Sequence, residues 1–310
     1  MIRAALLMLA AATPLLAHPV EGVRFALEDG VTYSEGPVDR PFAIASVGKT
    51  LTAVAILRQV EAGRLQLDAP VAAHLPREVV RGLGGLRGVT LRQLLSMSSG
   101  LPEYYDALYL EDALADQDRV QRPQIAVRYA YGFESHFAPG TQFEYSNTNY
   151  LLLGLILEAV TGQSYAEAIG AEVLAPAGMA SSRVFGAGPL PSDFVTGHED
   201  GAHIRGYYEG HGFGDGGVIA TAPDVAAFYQ ALFIDQILLG PPLMREMLKD
   251  PHGAGYGMGI EVEDGIYGHS GGDLGFAADA RFNAETGAIA VELIADGAAD
   301  PDWAYEFVTD

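Results

Sequence analysis

The chain has 310 residues, 49% of them hydrophobic and 19% charged, a profile that fills a buried core and excludes a disordered or low-complexity protein. Its 18 basic against 40 acidic side chains leave a net charge of −22, which repels phosphate backbones and anionic lipid and argues against nucleic acid as a partner. With no cysteine present, disulfides, thiolate nucleophiles, iron–sulfur clusters and cysteine-type zinc sites are excluded.

In chain order, Arg3 and the apolar run Ala4–Ala12, broken by Pro14 before Leu15-Leu16-Ala17, predict an export signal over 1–17. The expectation is a mature chain that starts near His18 and works outside the cytoplasm, periplasmic or secreted. The run is too short for a permanent membrane anchor; a buried N-terminal helix is the alternative. Val23–Ala26 and Val31–Ser34 around Glu28-Asp29-Gly30 predict a hairpin. Leu51, Val54, Ala55, Leu57 and Val60 have helical spacing after Ser46 and stop at Gly63. Further helices are predicted over Leu91–Met97, over Tyr150–Val160 before Gly162, and over Ser164–Leu174. Another spans Pro223–Phe233, with Thr221 as cap and proline in the first turn. The last sixty residues turn β-rich: Gly257–Val262, Gly268–Ser270, Ala277–Phe282 and Ala288–Ile294, then a terminal helix over Trp303–Val308. Strands at both ends and helices between predict an α+β protein, one domain over 18–310, whose terminal pieces share one sheet.

Three motifs compete for the chemistry. Ala43–Thr50 ends in Gly-Lys-Thr like a phosphate loop but lacks the leading glycine that lets backbone N–H groups wrap a phosphate. Gly268-His269-Ser270-Gly271-Gly272 fits the G-x-S-x-G nucleophile elbow, yet no histidine follows it and only forty residues remain, so Ser270 has no downstream base. The third motif is Ser46-x-x-Lys49 at a helix start, which puts the two side chains one turn apart on one face. A serine hydroxyl needs a base to become a nucleophile, and a lysine serves where its surroundings favour the neutral amine. Arginine does not lose its proton in that role. The chain has only two lysines, Lys49 and Lys249, beside sixteen arginines. The helix N-terminus adds N–H groups and a dipole suited to an oxyanion.

Two more motifs follow: Tyr145-Ser146-Asn147 before an apolar helix, and His269-Ser270-Gly271-Gly272 on a predicted strand. With them the sequence resembles the serine β-lactamase and penicillin-binding-protein superfamily, in its class C β-lactamase-like group of D-alanyl-D-alanine carboxypeptidases, D-aminopeptidases and esterases. That group carries S-x-x-K, Y-x-N and K-T-G or H-x-G in this order. Leu65–Val71, Leu94–Leu101, Pro139–Asn147, Gly216–Asp224 and Tyr256–Gly259 resemble its connecting phrases, so the likeness runs over about residues 25–295. It implies an antiparallel sheet flanked by helices, an α/β/α sandwich built over about 18–75 and 245–310. A mainly helical lobe over about 76–244 would be inserted, with the active site between the lobes.

By this resemblance Ser46 is the acylated nucleophile, Lys49 its proton acceptor, and Tyr145 a partner in proton transfer. Asn147 binds an amide of the acyl chain, and His269 stands where many relatives have lysine. Ser270, with Gly271, contacts a substrate carboxylate or carbonyl. The backbone N–H groups of Ser46 and Gly272 form the oxyanion hole. The bland alternatives are a packing role for Tyr145, a strand role for His269, and turn or edge roles for Asn147 and Ser270. If His269 attracts a substrate carboxylate, its help should fade as pH rises through an ordinary imidazole value near about 6.5. No metal or cofactor is implied: the other histidines lack H-E-x-x-H spacing. Asp215 is a cleft candidate that its position alone does not decide, and Tyr104-Tyr105 reads first as packing and second as an acyl pocket. Two departures from the group are a reduced opening helix and a short C-terminal one; a third, H-S-G-G for K-T-G, leans away from an efficient β-lactamase. The expected activity is an acyl-enzyme hydrolase acting on a small peptide, amide, ester or β-lactam. D-alanyl peptides or D-amino-acid amides come first, esters second, slow β-lactam turnover third. A non-catalytic binder of peptidoglycan fragments or β-lactams is the competing class.

Overall fold

Strand β1 (Gly22–Glu28) turns through Asp29-Gly30 into β2 (Val31–Glu35). Both turn residues have positive φ, 49° and 76°, the geometry that matches the twist of a tight hairpin. This computed structural model describes residues 21–310 except 85, 87, 118, 119, 187 and 200–203. The expected signal over 1–17, His18 and His203 lie outside the described residues. Three short strands, β3 (Phe42–Ala43), β4 (Arg183–Val184) and β5 (Val218–Ala220), form a small sheet in the order β3-β5-β4. β6 (Glu261–Glu263), β7 (Ile266–Asp273), β8 (Phe276–Asn283) and β9 (Ile289–Ile294) complete the main sheet, ordered β2-β1-β9-β8-β7-β6. All its pairings are antiparallel, and the Val23↔Leu293 and Phe25↔Val291 register joins the two ends of the chain.

Alternation along the strands gives the sheet two apolar faces. Val23, Phe276, Ala278, Ala280, Val291 and Leu293 belong to the large core. Ala26, Ile266 and Ala290 pack on the other side under Ala304 and Val308 of the terminal helix Trp303–Thr309. Helix Ala222–Tyr229, capped by Thr221 Oγ1 on the Asp224 N–H, packs on β1 and β9. The sheet is therefore covered on both faces, as expected. The lobe boundary differs from the expected one: residues 222–229 belong to the sheet's layers, not to a helical lobe running to 244. Helix Gly48–Glu61, buried on nearly all sides, packs against helix Asn147–Thr161, so it sits on the helical side although residues 18–75 were expected with the sheet.

Local signals account for most elements. Gly162 ends helix Asn147–Thr161 in the left-handed conformation (φ 70°), and Thr90 and Gln93 form a capping box on helix Leu91–Leu95. Other expected elements change in extent or form. The strand expected over Gly257–Val262 is confined to Glu261–Glu263. The helices expected over Ser164–Leu174 and Pro223–Phe233 end their α-turns at Ile169 and Tyr229 and continue as π-turns.

Candidate active site

A cleft of about 580 Å³ opens on the seam between the sheet and the helical lobe, and Ser46, Tyr145, Asn147, Asp215, His269 and Asp273 line it. The chain leaves β3 and passes Ala45, whose φ of +46° is in the region an L-residue avoids. A single 3₁₀ turn, Ala45–Val47, then carries Ser46 into the helix that begins at Gly48. The strained Ala45 is fixed on both sides: Ile44 N–H bonds the Val218 carbonyl at 3.1 Å, and β7 lies against the turn. A Cβ at Gly271 would stand 2.8 Å from Ser46 N. Glycine is needed at 271 because backbone meets backbone there.

Lys49 is fully buried. Its Nζ lies 2.9 Å from Ser46 Oγ and also donates to the Asp215 carbonyl oxygen. This geometry also disposes of the phosphate-loop alternative, since the Lys49 amine is spent inside the fold. The Tyr145 ring centroid is 5.1 Å from Lys49 Nζ. Its segment is tied down by Glu144 N–H on the Met97 carbonyl and Gly140 N–H on the Ser98 carbonyl, at 3.0 and 2.7 Å. The Ser98–Leu101 stretch is in turn anchored to the Asn147 helix through Ser99 Oγ on Asn149 Oδ1.

Asn147 opens its helix with its backbone N–H and Nδ2 on Glu103 Oε2, at 2.7 and 3.2 Å. Among the described residues its Oδ1 receives no hydrogen bond. Burial pushes the Glu103 carboxyl up, while N–H groups of Tyr105 and Asn147 hold it down in part.

His269 departs from the expectation. It is 1% exposed; Nδ1 contacts the Ser270 carbonyl and Nε2 lies 3.0 Å from Tyr256 Oη. A carbonyl only accepts, so Nδ1 carries the proton and neutral Nε2 accepts from Tyr256. Burial pushes the imidazole down to about 4, against the pull of Glu261 and with the help of Lys49. A neutral imidazole gives a substrate carboxylate no charge at pH 7, which argues against the expected loss of attraction between pH 6 and 8. Ser270 is also engaged: its N–H and Oγ donate to Glu261 Oε1 at 3.1 and 2.8 Å. Glu261 is buried, which would raise its carboxyl, yet His269, charged only in acid, together with Arg281 and the Ser270 bonds pulls it down to about 2. Arg281 Nη1 stands 2.6 Å from it.

Sequence reasoning missed four neighbours of the site, Glu103, Asp273, Tyr256 and Glu261, and left Tyr104, Tyr105 and Asp215 undecided. Tyr104 Oη donates to Asp215 Oδ2 at 2.6 Å, Tyr105 Oη donates to Asp273 Oδ1, and Tyr256 and Glu261 bracket His269. Tyr104-Tyr105, read first as packing, does line the cleft. Asp273 directly follows the H-S-G-G motif, a signal that was in view. Glu261 had none, because only the pairing of β6 with β7 (Glu261↔Gly268) brings it there. Among the described residues no cluster of three or more His, Asp or Glu side chains is placed to hold a metal ion, and no helix is long and apolar enough to cross a membrane.

A sheet covered on both faces, with a serine and a buried lysine paired where it meets a helical lobe, defines the two-lobed class that the motifs resemble. The beta-lactamase family model matches residues 23–306, and the chain belongs to that family. Protein flp of Staphylococcus aureus (strain MW2) is 39% identical over 135 residues, 44% of this chain and 26% of that protein. The chain thus spans about a quarter of that curated relative. Among solved structures, a D-stereospecific amidohydrolase from Streptomyces sp. superposes with a TM-score of 0.82 at 26% identity over 92% of each chain. A penicillin-binding protein from Bacillus halodurans superposes at 0.80 and 27% identity over 94% of each.

Proposed function

We propose that the protein is an exported serine hydrolase that works through an acyl-enzyme on Ser46, with D-amino-acid amides or D-alanyl peptides as its substrates. The observation that carries this is the 2.9 Å contact of the buried Lys49 amine with Ser46 Oγ at the floor of the cleft. Export rests on the composition of residues 1–17, and the amide class on the likeness to the Streptomyces amidohydrolase.

In this mechanism Lys49 takes the Ser46 proton as Oγ attacks the substrate carbonyl. The oxyanion settles against the N–H groups of Ser46 and Gly272, the leaving amine takes a proton from the Lys49–Tyr145 pair, and water releases the acyl group. Asn147 Oδ1 accepts an N–H of the acyl chain. Esters form the second substrate class, favoured by the neutral His269 and the engaged Ser270, which leave no cation in the third motif for a C-terminal carboxylate.

A fluorophosphonate probe followed by peptide mapping tests the nucleophile, with p-nitrophenyl acetate hydrolysis by wild type and Ser46→Ala. The expected result is one adduct on Ser46 and background turnover in the variant. An adduct on Ser270 with Ser46 free, or binding of D-alanyl ligands and β-lactams without turnover of any substrate, would overturn the proposal.

A further inference from the structure

The cleft carries an excess of carboxylate that the mechanism does not use. Glu261 is neutralised by Arg281 at 2.6 Å. Glu103 is occupied by the N–H groups of Tyr105 and Asn147, the latter at a helix N-terminus that favours an anion. Asp215 and Asp273 have no ion-pair partner within 4.0 Å among the described residues, and the one backbone N–H that reaches Asp273 Oδ1 is that of Leu274, at 2.8 Å. Each is held by one of two consecutive tyrosines, Tyr104 on Asp215 at 2.6 Å and Tyr105 on Asp273. The two rings meet edge to face at 6.0 Å, and Tyr207 and Phe213 continue the aromatic wall. The nearby Lys49 amine is spent on Ser46 Oγ and the Asp215 carbonyl.

Carboxylates held rigidly among aromatic faces are the surroundings that stabilise an organic cation, through charge-assisted hydrogen bonds and ring quadrupoles. Asp273 stands one residue past Gly272 on β7, within reach of whatever is bound at Ser46. We infer that the cleft selects substrates bearing an alkylammonium group, and that Asp215 and Asp273 are the specificity-determining residues that receive it. This rests on the acyl-enzyme proposal and narrows its substrates to those with a free α-amine or a cationic side chain, as against acyl donors that are neutral or carry a carboxylate.

The test compares kcat/KM for four p-nitroanilides: D-phenylalanine, its des-amino analogue 3-phenylpropionate, Nα-acetyl-D-lysine and Nα-acetyl-D-glutamate. The expected result is that at least one ammonium-bearing substrate exceeds the des-amino analogue by about 10- to 100-fold, the return of a charge-assisted hydrogen bond. The acetyl-glutamate compound should be the poorest. Preference for D-phenylalanine places the site at the α-amine, and preference for acetyl-lysine places it at the side chain. In Asp273→Asn and Asp215→Asn the ammonium-to-neutral ratio should fall toward unity in at least one variant. A role confined to orienting Tyr104, Tyr105 or Lys49 would slow all four compounds and leave the ratio in place. Should the variants fold poorly, inhibition of wild-type p-nitrophenyl acetate hydrolysis by benzylamine against benzyl alcohol gives the same answer, the amine binding at least about tenfold tighter. A ratio near unity in wild type, a ratio unmoved in both variants, or equal inhibition by amine and alcohol would overturn the inference. The acyl-enzyme proposal fails separately, by absence of the Ser46 adduct.

Discussion

Adding one methyl group at Gly271 tests whether the Ser46 turn and β7 are as tightly joined as the structure shows. The Cβ of Gly271→Ala would stand 2.8 Å from Ser46 N, 3.0 Å from the Ala45 Cβ and 3.2 Å from the Ile44 carbonyl oxygen. The shortest contact is about 0.6 Å inside the 3.4 Å where such contacts become ordinary. Two of the three atoms are backbone and do not swing aside. The turn is also already strained at Ala45 (φ +46°), so the displacement falls on the spacing between Ser46 and the Gly272 N–H. A misplacement of about 1 Å at a reacting centre costs about 10²-fold, so kcat/KM should fall by about 10- to 100-fold. Overpacking should cost about 1–3 kcal/mol of stability. Gly272→Ala is the control, because its Cβ would meet nothing within 4 Å. Steady-state hydrolysis of p-nitrophenyl acetate, normalised by fluorophosphonate titration, and urea unfolding give the two readouts. A folded Gly271→Ala protein with kcat/KM within threefold of wild type, or a larger loss in Gly272→Ala, would refute the reasoning.

Three further outcomes follow from the site and its surroundings. Lys49→Arg keeps the charge but removes a titratable base, so acylation should drop by at least about 10²-fold; retention of more than a third of wild-type acylation would make Lys49 a structural charge. His269, faced by Tyr256, Glu261, Lys49 and Arg281 and pushed down to about 4 by burial, should stay neutral with its proton on Nδ1 from pH 6 to 8 in ¹⁵N NMR, and an inflection near 6.5 would refute this. Asp279 is buried on β8 between Arg281, Glu261 and Glu292, and burial raises its carboxyl to about 7, Arg281 opposing. Since an unfolded aspartate ionises near about 3.9, the folded state binds the extra proton and stability is lost as pH rises from about 4 to 7. The stability of Asp279→Asn relative to wild type should therefore improve between pH 5 and 8, and a pH-independent difference would count against the assignment.

Much of this fold was written locally. The hairpin at Asp29-Gly30, the helix stops at Gly63 and Gly162, and the Thr221 cap each depend on a few neighbouring residues, so turn chemistry and apolar spacing located them. The Ser46–Lys49 contact belongs to the same kind, because a separation of three at a helix start places two side chains together whatever the rest of the chain does. The short strands β3, β4 and β5 escaped notice, since two- or three-residue strands carry no periodicity and exist only through their partners.

The sequence by itself determined that the protein is an acidic, cysteine-free α+β domain whose ordered Ser-x-x-Lys, Tyr-x-Asn and His-x-Gly motifs match one superfamily. Only the tertiary structure decided what those groups meet. Tyr104 reaches Asp215 across 111 positions and Tyr105 reaches Asp273 across 168, distances at which no local pattern survives. The neutrality of His269 was equally out of reach, because an imidazole's ionisation is set by the water it loses and the charges it gains on packing. Both depend on β6, β7 and Tyr256 closing around it, and sequence spacing does not encode that enclosure.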